Sequence, residues 1–82
     1  MSLVKVEIRY CADCGYGHEA LSLASVLMEK CDTDLAEIKI VPWMDGAYDV
    51  IINGETIHSM YRDGGFPNPA TIVETVREKS RQ

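Results

Sequence analysis

Residues 4–41 change their hydrophobic period twice, and the order of those changes restricts the fold more than any other feature of the chain. Val4, Val6, Ile8 and Tyr10 alternate with Lys5, Glu7 and Arg9, the period of two expected of a strand over residues 4–10 with one wet face. Over residues 16–31 the spacing becomes helical. Ala20, Leu21, Ala24, Leu27, Met28 and Cys31 form an apolar stripe, with His18, Glu19, Ser22, Ser25 and Glu29 largely opposite. Asp32-Thr33-Asp34 breaks the helix, and over residues 36–41 Ile38 and Ile40 alternate with Glu37 and Lys39. Strand, helix and strand in that order predict two parallel strands joined by a right-handed crossover.

The remainder reads as loop over 42–46 and a third strand over 47–52. Asn53-Gly54 is a two-residue hairpin signal, because both turn positions need positive φ, and the returning strand covers 55–61. A loop follows over 62–67, and Asn68-Pro69 predicts an N-cap with proline at the first helical position. Ile72, Val73 and Val76 give the stripe of a last helix ending near Lys79. The predicted fold is a β-α-β-β-β-α sandwich of the α/β (α+β) class. Its four-stranded mixed sheet has the order 2-1-3-4. Charged alternate positions on the first two strands leave one sheet face bare, so both helices sit on the other. At 82 residues this is one domain, residues 1–82, with a thin core.

Charge excludes several roles. Eight Lys and Arg against thirteen Asp and Glu give a net charge of −5. That opposes binding to a nucleic-acid backbone or to an anionic membrane surface. The apolar runs are far shorter than the roughly 20 residues of a membrane span, and the alternating N-terminus contains no signal core. A cytoplasmic location is therefore the expectation. Three cysteines are too few for a secreted disulfide scaffold.

Two of those cysteines carry the chemistry. Cys11-Ala12-Asp13-Cys14 stands where the first strand hands over to the first helix. In the first turn of a helix, two sulfurs at this spacing face one side and can close a small disulfide. Free N–H groups and the helix dipole favour a thiolate there. Asp13 opposes that shift, whereas Arg9 or Arg62 would offset it, so a moderate depression of the thiol pKa is expected. His18, one turn after Cys14, is a further candidate for tuning or proton transfer, against a plain surface role.

Zinc would want a second cysteine pair, but Cys31 lies 17 residues beyond Cys14. That is about 25 Å along a helix. Small copper carriers with this motif add a last strand that has no counterpart before Gln82. A metal site is therefore a minor reading, and none is assigned; the third reading, inert cysteines on a scaffold protein, is opposed by Gly15, Tyr16 and Gly17, small or exposable residues unlike the surroundings of a buried core pair. Strands one, two and four point the same way, so the redox motif, the 42–46 loop and the 62–67 loop gather at one end of the sheet, where open α/β sheets bind ligands. Tyr16, Trp43, Met44 and Phe66 would surround the thiols with apolar surface for a docking protein, or would simply cover helix ends. Cys31 reads as a small buried hydrophobe and His58 as structural. A homo-oligomer through an edge strand or the bare sheet face is a further expectation.

Taken together, Val6-Glu7-Ile8-Arg9-Tyr10-Cys11-Ala12-Asp13-Cys14-Gly15-Tyr16, Gly46-Ala47-Tyr48-Asp49-Val50, Asn53-Gly54 with Ile57-His58-Ser59, and Gly64-Gly65-Phe66-Pro67 resemble the selenoprotein W family, the Rdx group of small thioredoxin-like proteins. The resemblance runs nearly end to end. It implies a thioredoxin-like fold, a redox role with Cys11 and Cys14 as the reacting pair, and protein thiols or glutathione as partners, with glutathione a co-substrate and no bound cofactor. It also implies that Cys14 fills the position taken by selenocysteine in animal members. Helix-start reasoning from thioredoxin favours Cys11 as the more exposed thiol instead. The chain lacks a proline just ahead of the third strand, because Pro42 comes several positions early. Two functions compete: a thiol–disulfide oxidoreductase, and a redox-gated binding module without turnover.

Overall fold

In the computed structural model, which describes residues 2–82, β1 (Val4–Cys11) lies between two partners. β2 (Leu35–Trp43) runs parallel to it, and β3 (Tyr48–Ile52) runs antiparallel. β4 (Glu55–Ser59) pairs with β3, giving the order β2-β1-β3-β4. This is the expected order, and it makes both β2 and β4 edges. Register explains the alternation. Val6 pairs with Ile38 and Ile52, and Ile8 with Ile40 and Val50, so apolar positions of the central strands share a face. Helices α1 (Gly17–Cys31) and α3 (Pro69–Ser80) cover that face, and Leu23, Leu27, Ile72 and Val76 join Val4, Val6, Ile8, Val50 and Ile52 in one core. Each fully buried Val, Leu or Ile contributes about 1.5–3 kcal/mol relative to an exposed one.

Local chemistry fixes the joints. Asn53 (φ 51°) and Gly54 (φ 82°) both take the left-handed conformation of a tight hairpin, and the Asn53 side chain accepts a hydrogen bond from the Lys5 N–H at 3.0 Å. Asn68 caps α3, accepting from the Ala70 N–H at 2.9 Å, with Pro69 at the start of the helix.

Two boundaries and one helix face differ from expectation. β2 continues through Pro42 and Trp43, which the sequence places in a loop. An edge strand tolerates the missing proline N–H, and the Trp43 carbonyl accepts from Ala12 N–H at 3.2 Å. β4 stops at Ser59 because the next residues form a single helical turn, α2 (Met60–Asp63). The Asp63 carboxylate accepts from Ser59 N–H at 3.0 Å, and Gly64 (φ 71°) ends the turn by donating to the Met60 carbonyl at 2.9 Å. The third difference is the buried face of α1. Leu23 is buried, whereas Leu21 and Met28 are 62% and 57% exposed. These two lie on the flank of α1 toward the β2 edge, where they share a groove with Ile40 rather than the core.

Candidate redox site

Cys11 closes β1. Its N–H donates to the Ala47 carbonyl at 2.7 Å, and it is paired in register with Trp43, so the segment before β3 and the end of β2 hold it from both sides. The chain then turns sharply. Gly15 N–H donates to the Ala12 carbonyl at 3.2 Å and Tyr16 N–H to the Cys11 carbonyl at 3.3 Å. Gly15 sits at φ +76° with open space around its missing side chain, so the requirement for glycine is conformational rather than steric. Across this turn the Cα atoms of Cys11 and Cys14 are 5.3 Å apart and their sulfurs are bonded, a separation well inside the disulfide range.

The position of the pair corrects one expectation. Cys14 is not in the first turn of α1, which begins at Gly17. The dipole effect falls off within that turn, so its pull on a Cys14 thiolate is weaker than the sequence reading supposes. A second correction concerns accessibility. Cys11 is 1% exposed, whereas Cys14 is exposed to solvent. The thioredoxin-based expectation that Cys11 is the open thiol therefore fails, because Cys11 remains part of the strand while Cys14 rides on the turn.

The other predicted site residues divide into two groups. Asp13 is exposed beside Cys14, and His18 lines a shallow groove with Tyr10, Ala12, Gly15, Gly17 and Leu21. Tyr16 stands edge-on to Phe66, 5.0 Å between centroids, and Phe66 is 41% exposed. Trp43 and Met44 are also exposed, and the Met44 carbonyl accepts from Ala47 N–H at 3.2 Å in the turn that leads to the Cys11 contact. The arginines are occupied. Arg62 donates to both Asp63 oxygens and, at 2.9 Å, to the Ile57 carbonyl. Arg9 pairs with Glu7, and its guanidinium lies 5.1 Å over the Trp43 ring.

Sequence reasoning missed the scaffold under the second loop. The Gly65 carbonyl can only accept, so His58 Nε2 carries the proton in their 2.8 Å hydrogen bond. The other ring nitrogen lies 3.7 Å from Asp63. Hydrogen bonds from Arg62 first, and then from Ser59 N–H, hold the Asp63 carboxyl down at about 2. Tyr61 donates its hydroxyl to the Asp45 carbonyl, linking α2 to the turn after β2. The signal available in the sequence was the Gly64-Gly65 pair, both at positive φ, following a histidine and an aspartate. Cys31 is buried and donates to the Leu27 carbonyl at 3.2 Å; burial, and then Asp34, push its thiol pKa up. Among the described residues no three His, Cys, Asp or Glu side chains group to hold a metal ion, and no helix is long and apolar enough to cross a membrane.

Comparison with known proteins agrees with this fold. The model of the Rdx family matches residues 5–78. Migration and invasion enhancer 1 of Bos taurus is 32% identical over 77 residues, and the Mus musculus protein of that name matches at the same identity and length. In both cases the match covers 94% of this chain but 65% of the relative, so the chain spans about two thirds of their length. A solved structure from Bordetella parapertussis superposes with TM-score 0.88 at 28% identity, covering 94% of this chain and 98% of that one. A selenoprotein W-related protein from Vibrio cholerae superposes with TM-score 0.91, covering 96% and 99%, and at 23% identity it speaks to the fold alone. That fold is thioredoxin-like.

Proposed function

The chain belongs to the Rdx family, and we propose that it works as a thiol–disulfide redox protein in which Cys14 attacks and Cys11 resolves. The observation that carries this reading is the asymmetry of the pair: an exposed cysteine bonded to a buried one. In the reduced protein the Cys14 thiolate attacks one sulfur of a partner disulfide. The partner's S–S bond breaks, its other sulfur leaves and takes up a proton, and a mixed disulfide forms at Cys14. The Cys11 thiolate then attacks the Cys14 sulfur and releases the second partner thiol. The partner gains two electrons and becomes a dithiol, and the Cys11–Cys14 pair becomes a disulfide. An external thiol reductant restores the dithiol for another cycle. The burial of Cys11 keeps the resolving sulfur from competing for substrate, and the strand holds it within reach of Cys14.

The partner is a protein disulfide or oxidised glutathione, and neither requires a bound cofactor. Turnover is the test. With catalytic amounts of protein and an excess of dithiol reductant, the reading expects a model disulfide to be reduced over many cycles. When the reduced protein is instead mixed with the disulfide alone, before any reductant is added, peptide mapping should find Cys11 joined to Cys14. Reduction that stops after one equivalent would reject catalysis. It would favour a redox-gated binding module instead, to which the exposed Trp43, Met44 and Phe66 lend some surface.

A further inference from the structure

Leu21 and Met28 are large apolar side chains that α1 does not bury, and the core does not explain them. With Ala24 between them they form one stripe of the helix. Two grooves meet at Leu21. One is walled by the redox turn itself, through Ala12, Gly15 and Gly17. The other continues between α1 and the β2 edge, past Met28 and Ile40, to Glu29 and Asp32. A largely apolar channel thus begins at the redox turn and ends at two carboxylates. No lysine or arginine is among the residues lining either groove. Asp13 adds a further carboxylate at the redox turn, and Arg9, two residues before Cys11, is held by Glu7 and Trp43.

This charge pattern discriminates between the two partner classes. Oxidised glutathione carries more carboxylates than ammonium groups and is a net anion; it would find His18 but no lysine or arginine along the grooves and would meet the field of a chain with net charge −5. We propose that the substrate of the Cys11–Cys14 pair is instead a protein segment, apolar beside its reactive sulfur and basic beyond, that lies along α1 from the redox turn to Asp32. The inference rests on the redox reading above and narrows its substrate class. The fifteen residues of α1 span about 22 Å, room for about seven residues of extended chain.

Three disulfides with a common leaving group test this. The 2-pyridyl disulfides of glutathione, of a seven-residue peptide with cysteine at one end, leucines within and two arginines at the other, and of the same peptide with glutamates for arginines all release thiopyridone when Cys14 attacks. With reduced protein at low salt, the basic peptide, in at least one chain direction, should react about tenfold faster than either anion, and the gap should shrink as salt is raised. The double variant Glu29→Gln/Asp32→Asn should remove the preference for the basic peptide. Leu21→Ser/Met28→Ser should slow both peptides and leave the glutathione derivative unchanged. All four positions are exposed, so these variants keep the fold. Equal or faster reaction of the glutathione derivative, or a preference indifferent to these variants, overturns the inference while leaving the redox reading intact. A dimer that Leu21→Ser/Met28→Ser dissociates without changing the rates overturns it too, assigning the channel to a second copy of the chain. Release from none of the three disulfides would remove the redox reading, and this inference with it.

Discussion

The ring of Phe66 stands edge-on to Tyr16 with centroids 5.0 Å apart, and edge-on to Tyr48 at the same distance. One side chain from the loop after α2 therefore joins the redox turn to the start of β3. Each such pair contributes about 0.5–1.5 kcal/mol beyond area burial. Phe66→Ala should destabilise the protein by about 1–3 kcal/mol, read as a lower urea midpoint at constant slope. In the reduced variant Cys14 should be alkylated faster, because Tyr16 has lost its anchor.

Asp13 lies next to Cys14, and the two arginines expected to offset it are engaged elsewhere, Arg62 with β4 and Asp63, and Arg9 with Glu7. A neighbouring carboxylate disfavours the thiolate. Asp13→Ala should lower the Cys14 thiol pKa, measured as a shift of the alkylation-rate profile to lower pH. An unchanged or raised profile would contradict this electrostatic account.

The Asp63 carboxyl, ordinarily near 3.8, is held at about 2, chiefly by Arg62. Its folded pKa is depressed, so its contribution to stability is present above about 3.8 and is lost as pH falls through about 2. Asp63→Asn should flatten the stability profile across that acid window. Its effect at neutral pH should appear as loosening of the Gly64–Gly65 loop in amide exchange.

Tyr48 titrates in the opposite direction. Burial, and then Glu19, push its phenol up to about 12 from an ordinary 10.0. Only the neutral form is comfortable in the fold. That contribution is complete below pH 10 and disappears as pH rises toward 12. Tyr48→Phe should keep the edge-on contact with Phe66 and show a shallower loss of stability in alkali.

These residues also show what the sequence could and could not convey. Strand order, the Asn53-Gly54 hairpin and the Asn68 cap were legible because alternation, positive φ and capping act locally. The redox pair was legible for the same reason, through its spacing and its place after a strand. The accessibility of each cysteine was not, because Cys11 stays in the strand through backbone pairing with Ala47 and Trp43, residues distant in sequence. The end of β4 was misread because Asp63 reaches back to Ser59, and a side-chain hydrogen bond leaves no periodicity. Leu21 and Met28 fitted a helical stripe but not the core, because spacing alone does not say how wide a band the sheet covers.

The division of labour between the two sulfurs is tested most directly by trapping with single-cysteine variants. Cys11→Ser and Cys14→Ser are each reduced, mixed with a disulfide substrate and mapped by mass spectrometry without added thiol. The account predicts a stable mixed disulfide at residue 14 in the Cys11→Ser protein and little adduct at residue 11 in the Cys14→Ser protein. Adducts that accumulate on Cys11 instead, or on neither sulfur, would contradict it.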